Sequence, residues 1–193
     1  MLGITKCEVI MKVLNIHERE LKADYEQVAK LIDSLSSEDD RLWPNHSWPR
    51  MKFDRPLSVG AKGGHGPIGY YVEEYNPGHS IKFCFTSPKG FKGFHEFDAV
   101  KSSNGAVFLR HRIEMELEGS ALLTWPLFIR PLHDALLEDA LSTAQASLGI
   151  APQMRPWSSW VKIIRWIMSG GKAQTQILSN KANSADAKSR AVD

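Results

Sequence analysis

The stretch "GAVFLRHRIEMELEG", residues 105–119, alternates like a strand with one dry and one wet face. Val107, Leu109, Ile113, Met115 and Leu117 fall on the apolar side, and Arg110, Arg112, Glu114 and Glu116 on the other. His111 falls among the apolar residues, although it titrates near neutral pH. In "GFHEFDAV" the pattern repeats: Glu96 and Asp98 belong in water, so His95, Phe97 and Ala99 point inward. Two inward imidazoles on consecutive antiparallel strands are candidate cross-strand neighbours. One reading makes them neutral core histidines with satisfied hydrogen bonds. The other makes them cavity-lining groups that orient, or exchange protons with, a polar ligand group. On that reading His95 and His111 are the catalytic candidates. His65 is a third imidazole, but no ligand spacing ties it to the others, so no metal centre is assigned. The serines lack a GxSxG setting, and neither Cys7 nor Cys84 has a catalytic local context. Any catalysis would rest on histidine-assisted proton transfer in a shaped pocket, with no cofactor.

The elements that must hold these residues follow from periodicity. "VLNIHEREL" (13–21) reads as a first strand, and "ADYEQVAKLIDSL" (23–35) as a helix with Asp24 at its N-cap. Ser36 or Ser37 before Asp39 and Asp40 signals a second, short helix. Pro44 and Pro49 limit its length and stiffen the loop that follows. Between residues 57 and 119 lie four or five strand-like runs. "NPGH", "SPKG" and "SSNG" separate them with the chemistry of hairpin turns, so the strands pair antiparallel. From Leu122 the period becomes helical. Ile129, Leu132, Leu136, Ala140 and Thr143 form one stripe, with the regular helix starting near Pro131 and Gly149 at its C-cap. One long helix gripping the concave face of a curved sheet leaves room for a cavity.

This order resembles the SRPBCC superfamily of START lipid-binding domains, pollen-allergen-type proteins and polyketide cyclases or dehydrases. "HERELKADYEQVAKLI", "VEEYNPGHSIKF" and "RPLHDALLEDAL" carry the resemblance, which covers roughly residues 13–149. It implies an α+β helix-grip fold: a curved antiparallel sheet wrapped around a long C-terminal helix, with two short helices after the first strand. It also implies a deep, mostly apolar cavity, without fixing one function. Domain boundaries follow. Residues 1–12 are an N-terminal extension, 13–149 the helix-grip domain, 150–170 a basic Trp-rich amphipathic segment, and 171–193 a disordered tail.

Within that frame, candidate ligand contacts are Trp43, Trp48 and Met51 from the proline-rich loop, as core caps or as a lid. His65, Tyr70, Phe83, His95, Phe97, Leu109, His111, Ile113 and Leu136 join them from the sheet and helix. Arg130 is a candidate anchor for a carboxylate, and His133 beside it reads as solvating or capping that helix end. "GGHGPIG" (63–69) formally matches GxGxxG, but no helix N-terminus follows to meet a phosphate, so a tight turn is the simpler reading.

Charge separates the body from its C-terminal end. The chain of 193 residues carries +2 overall. Residues 150–193 hold seven basic and two acidic side chains, which leaves the first 149 residues at −3. A mildly acidic body argues against nucleic acid as a partner. The paucity of cysteine, and the lack of an uninterrupted signal-peptide core or membrane-length apolar run, point to a cytoplasmic protein. "RPWSSWVKIIRWIM" (155–168) predicts a helix over 156–168 whose Trp157–Trp160–Ile164 face meets a membrane surface, the body of the domain or a second copy. Three functions therefore stand side by side. They are capture of a small hydrophobic or amphipathic ligand, a cyclase- or dehydratase-like reaction at a cavity histidine, and lipid handling at a membrane.

Overall fold

Residues 9–176 are described by a computed structural model. The first strand, β1 (Met11–Leu21), runs into α1 (Tyr25–Asp33). Asp24 and Gln27 close a capping box on that helix, which buries Val28, Ala29, Leu31 and Ile32. Where a second short helix was expected after Ser36, the chain makes successive turns. The Asp40 carboxylate accepts the backbone N–H groups of Ser36, Leu42 and Trp43, an arrangement that competes with helix.

Six further strands follow: β2 (Lys52–Phe53), β3 (Lys62–His65), β4 (Ile68–Asn76), β5 (Ser80–Ser87), β6 (Phe91–Lys101) and β7 (Val107–Leu117). They form one antiparallel sheet in the order β1-β7-β6-β5-β4-β3-β2. Irregularities in β4 at Gly69/Tyr70 and Val72/Glu74 help bend it. The β6–β7 register sets Asp98 opposite Arg110 and Glu96 opposite Arg112, so the acidic and basic residues pair on the wet face. On the dry face Phe97 lies opposite His111 and His95 opposite Ile113. The two histidines are thus diagonal neighbours.

The helical stretch begins ten residues before the expected start. A short helix, α2 (Ala121–Thr124), and a π turn (Trp125–Ile129) lead directly into α3 (Arg130–Ser147). Pro131 has no N–H to offer the Leu127 carbonyl, which instead accepts Trp160 Nε1 at 2.7 Å. α3 ends in a Schellman motif, with Ile150 N–H donating to Gln145 O and Gly149 N–H to Ala146 O. Gly149 sits at φ +71°, where a side chain would be strained.

The last helix, α4 (Ser159–Met168), is capped by Ser158, whose hydroxyl accepts Val161 N–H. It starts three residues later than expected and divides the expected face. Trp157, Val161, Ile164 and Arg165 are buried against the body, whereas Trp160, Ile163, Trp166 and Ile167 are exposed. Beyond it, Thr175 O accepts from Ser47, and Gln176 Nε2 donates to Asp139 and to Arg155 O. Those contacts run against disorder from residue 171. The rest of the expected tail, and residues 1–8 of the extension, lie outside the described residues. No helix among the described residues is long and apolar enough to cross a membrane.

Candidate functional site

The apolar interior is in two parts. The larger spans α1, the proline-rich loop, the inner sheet face and α3; the smaller holds Phe91, Ile113, Met115, Leu117, Ala121 and Trp125. Between them lies a cavity of about 430 Å³, walled by Trp43 and Trp48 from one part and by Phe91, Ile113 and Trp125 from the other. The space opens to solvent beside His46 and Pro49, so it is a cleft that a ligand can enter.

Four buried or half-buried imidazoles stand on its wall: His65, His95, His111 and His133. β3 supplies the first at a hairpin turn where Gly64 is obligatory, since a Cβ there would sit 2.1 Å from Ile68 O. His65 Nδ1 lies 3.0 Å from the Tyr70 hydroxyl. β6 and β7 supply the central pair, with His95 Nδ1 and His111 Nε2 3.2 Å apart. Aromatic rings fix His95 from several sides: Phe83 stacks at 4.8 Å, Phe85 at 5.1 Å, and Tyr70 meets it edge-on at 4.6 Å. Phe97 does the same for His111 at 4.6 Å. α3 supplies His133, whose ring centroid is 5.1 Å from that of His111.

Burial disfavours charge on all four, and each is further depressed by one or more neighbouring imidazoles. His65 is pushed down to about 3, and His95 and His111 lie well below the ordinary value. The pair is therefore neutral. Whichever ring donates, one N–H and one bare nitrogen meet between the rings, and one of each is left over. The leftovers are His95 Nε2 and His111 Nδ1, which find no partner among the described residues. Neither nitrogen of His133 has a hydrogen bond, because Asp134 Oδ1 is 3.6 Å away. Most buried polar atoms in native proteins are satisfied, so this concentration of unpaired nitrogens marks the place.

The geometry sorts the expected contacts. Trp43, Trp48, His65, His95, His111, Ile113 and Leu136 are on the cavity wall. Tyr70, Phe83 and Phe97 stand behind it and brace the imidazoles, while Met51 and Leu109 are buried in the larger part of the core. Arg130 is exposed, and its Nε lies 3.6 Å from Asp134, so it does not reach the cavity. His133 does not solvate the helix end. Its preceding turn is π-helical, which rotates the chain so that this ring faces inward. Arg165 also lines the cavity, from a position that periodicity set off the apolar stripe. The available signal was spacing alone: Arg165 stands four residues after Val161 and eight after Trp157, at the edge of that stripe. The guanidinium lies over Trp48 at 4.1 Å and over Trp157 at 4.3 Å.

His17, His133 and Asp134 bring three potential metal-ligand atoms within 4.8 Å of one another. Asp134 already accepts from Asn15 and His17 and pairs with Arg130, so the group reads as a hydrogen-bonded seam between β1 and α3.

Fold and cavity together define a helix-grip protein, a single curved sheet closed on a long helix around an internal space. No protein-family model and no curated sequence matches the chain. Solved structures do. A norcoclaurine synthase variant from Thalictrum flavum, in complex with a transition-state analogue, superposes with TM-score 0.54 at 14% identity, over 73% of this chain and 97% of that one. The same enzyme holding dopamine and hydroxybenzaldehyde gives 0.53 at 13%, over 75% and 91%. A protein of Thermobifida fusca gives 0.55 at 13%, over 74% and 97%. At such identities the likeness is one of fold alone.

Proposed function

We propose that this protein is a divergent SRPBCC member that captures a small apolar or amphipathic molecule in the cavity between its two core regions. One observation carries the reading: unpaired, neutral imidazole nitrogens are concentrated on the wall of a large, otherwise greasy space. The free nitrogens are themselves covered, so a ligand hydroxyl or carbonyl reaches one only as a ring turns about Cβ–Cγ and the ligand's bond replaces the one between His95 and His111. A volume of this size suits a ligand of drug-like or medium-chain dimensions.

Native mass spectrometry of protein purified from cells, followed by extraction, tests this. The expected result is a bound small molecule in wild type and loss of occupancy in His111→Leu, which keeps its fold. Equal occupancy in the variant would make His111 a core residue and no more.

A cyclase- or dehydratase-like reaction is the second reading, favoured by the His95–His111 pair, which presents a donor and an acceptor side by side. A conversion of the extracted ligand that disappears in His95→Gln would establish it. Peripheral membrane contact is the third. It draws on the exposed Trp160, Ile163 and Ile167 beside exposed Leu127 and Phe128, with Lys162 on the same helix. Flotation with anionic liposomes that is lost on removal of α4 would establish it, and failure of the intact protein to float would exclude it.

A further inference from the structure

We propose that the cavity's ligand carries a carboxylate headgroup, and that Arg165 on α4 is its anchor. The inference rests on the cavity being a ligand site and names the chemistry that site selects. It starts from a buried charge that makes no ion pair with any described carboxylate. Arg165 is 8% exposed, yet no carboxylate among the described residues forms an ion pair with it. Its Nη2 donates to the Ser47 carbonyl, its Nε is buried without a partner, and its Nη1 donates to no described group. Buried charges are normally paired, because an isolated one loses its hydration without return.

Asp139 does not fill the role. Its charge acts on Arg165, but its oxygens are occupied by Trp48 Nε1 at 2.7 Å, Trp157 Nε1 at 2.9 Å and Gln176 Nε2. The two tryptophans stand between the charges as hydrogen-bond donors to one and as π faces to the other. This holds the guanidinium in a fixed pose at the cavity wall, with donors to spare.

The rest of the lining offers no counter-charge: no Asp or Glu is among the wall residues, and the four buried or half-buried imidazoles there are held neutral. A ligand cation would meet no counter-charge. A neutral ligand would leave Arg165 as it stands. A carboxylate on an apolar body matches both the guanidinium donors and the greasy wall, since charge-assisted hydrogen bonds are the stronger kind. α4 and the segment that follows it then belong to the binding site, which also has Met168, Ser169 and Gln174 on its wall.

The test compares headgroups on one chain length. Dodecanoate, 1-dodecanol and dodecylamine are titrated calorimetrically into the full-length protein after its co-purifying ligands are stripped. Dodecanoate should bind at least tenfold more tightly than dodecanol, and dodecylamine most weakly. In Arg165→Gln the dodecanoate preference should collapse while dodecanol affinity stays within a factor of two, and Arg165→Lys should retain part of the preference. Equal affinity for dodecanoate and dodecanol overturns the carboxylate assignment and leaves the cavity reading standing. A preference that survives in Arg165→Gln overturns the anchor. If none of the three probes binds, both readings fall. Should Arg165→Gln fail to fold, the headgroup series on wild type still decides.

Discussion

Two buried polar regions lie on either side of α3, and they are built on opposite principles. Along the β1 seam, Arg19 donates to Glu138 at 2.6 Å, to Ser142 at 3.0 Å and to Gln145 at 3.1 Å. His17 spans Asp134 at 3.0 Å and Glu138 at 3.3 Å. Apart from Asn15 Oδ1, the polar side chains of this seam find partners. Around the cavity, His95, His111 and His133 keep nitrogens without a hydrogen-bond partner among the described residues, and Arg165 makes no ion pair with a described carboxylate. The chain can evidently saturate buried polar groups where they serve only to hold elements together. Single open atoms occur elsewhere, on Arg41, Asn45 and Arg112, but their concentration around the cavity is consistent with groups reserved for something that enters.

The largest expected contrast is in stability. Glu138→Ala strands the Arg19 guanidinium and should cost about 3–5 kcal/mol in urea unfolding. His111→Leu removes one nitrogen that is already unsatisfied and the 3.2 Å partner of His95 Nδ1, so it should cost about 1–3 kcal/mol. If His111→Leu proves the more damaging of the two, the contrast is broken.

Acid should discriminate next. The four cavity histidines have folded pKa values below the ordinary 6.5. The unfolded chain therefore binds more protons once pH falls below about 6.5. Their stabilising effect is complete above that pH and is lost as pH falls, by up to about 1.4 kcal/mol per pH unit for each histidine. His17 works the other way. Burial alone would lower its pKa, but Asp134 and Glu138 outweigh burial and raise it. Its contribution is full below 6.5 and fades as pH rises through the raised value. Urea midpoints between pH 6.5 and 5.5 should thus fall in wild type and fall less steeply in His111→Leu. A flat profile in wild type would mean the imidazoles are not held neutral.

The smallest effect sharpens the scale. Lys12 and Glu116 form a mostly solvent-exposed pair at 3.9 Å, so Lys12→Ala should change stability by less than about 0.5 kcal/mol.

Much of this was legible in residue order because a strand of period two leaves little choice. The alternation in 105–119 put His111 on the dry face, and the hairpin at "SSNG" put His95 beside it. The expected helix-grip architecture follows from the same alternation and from the stripe along α3. His133 and Arg165 were not legible as wall residues. The inward turn of His133 depends on a π turn that no periodicity announces. Arg165 reads as a cation at the edge of the apolar stripe, and the approach of Trp48 from a distant loop, opposite Trp157, buries it. Arg130 misled for the complementary reason: its partner Asp134, one turn along the same helix, holds it outside. Local pattern fixes which face a residue takes, whereas pairing across elements decides whether its charge is already used.

The central claim is that the open imidazoles, and not the saturated seam, meet the ligand. Histidine-selective ¹⁵N NMR during titration with 1-dodecanol, a neutral probe that needs only the cavity, addresses it most directly. The ring nitrogens of His95, His111 and His133 should shift on binding while those of His17 stay in place. Binding that moves His17 and leaves the other three unchanged would contradict the account.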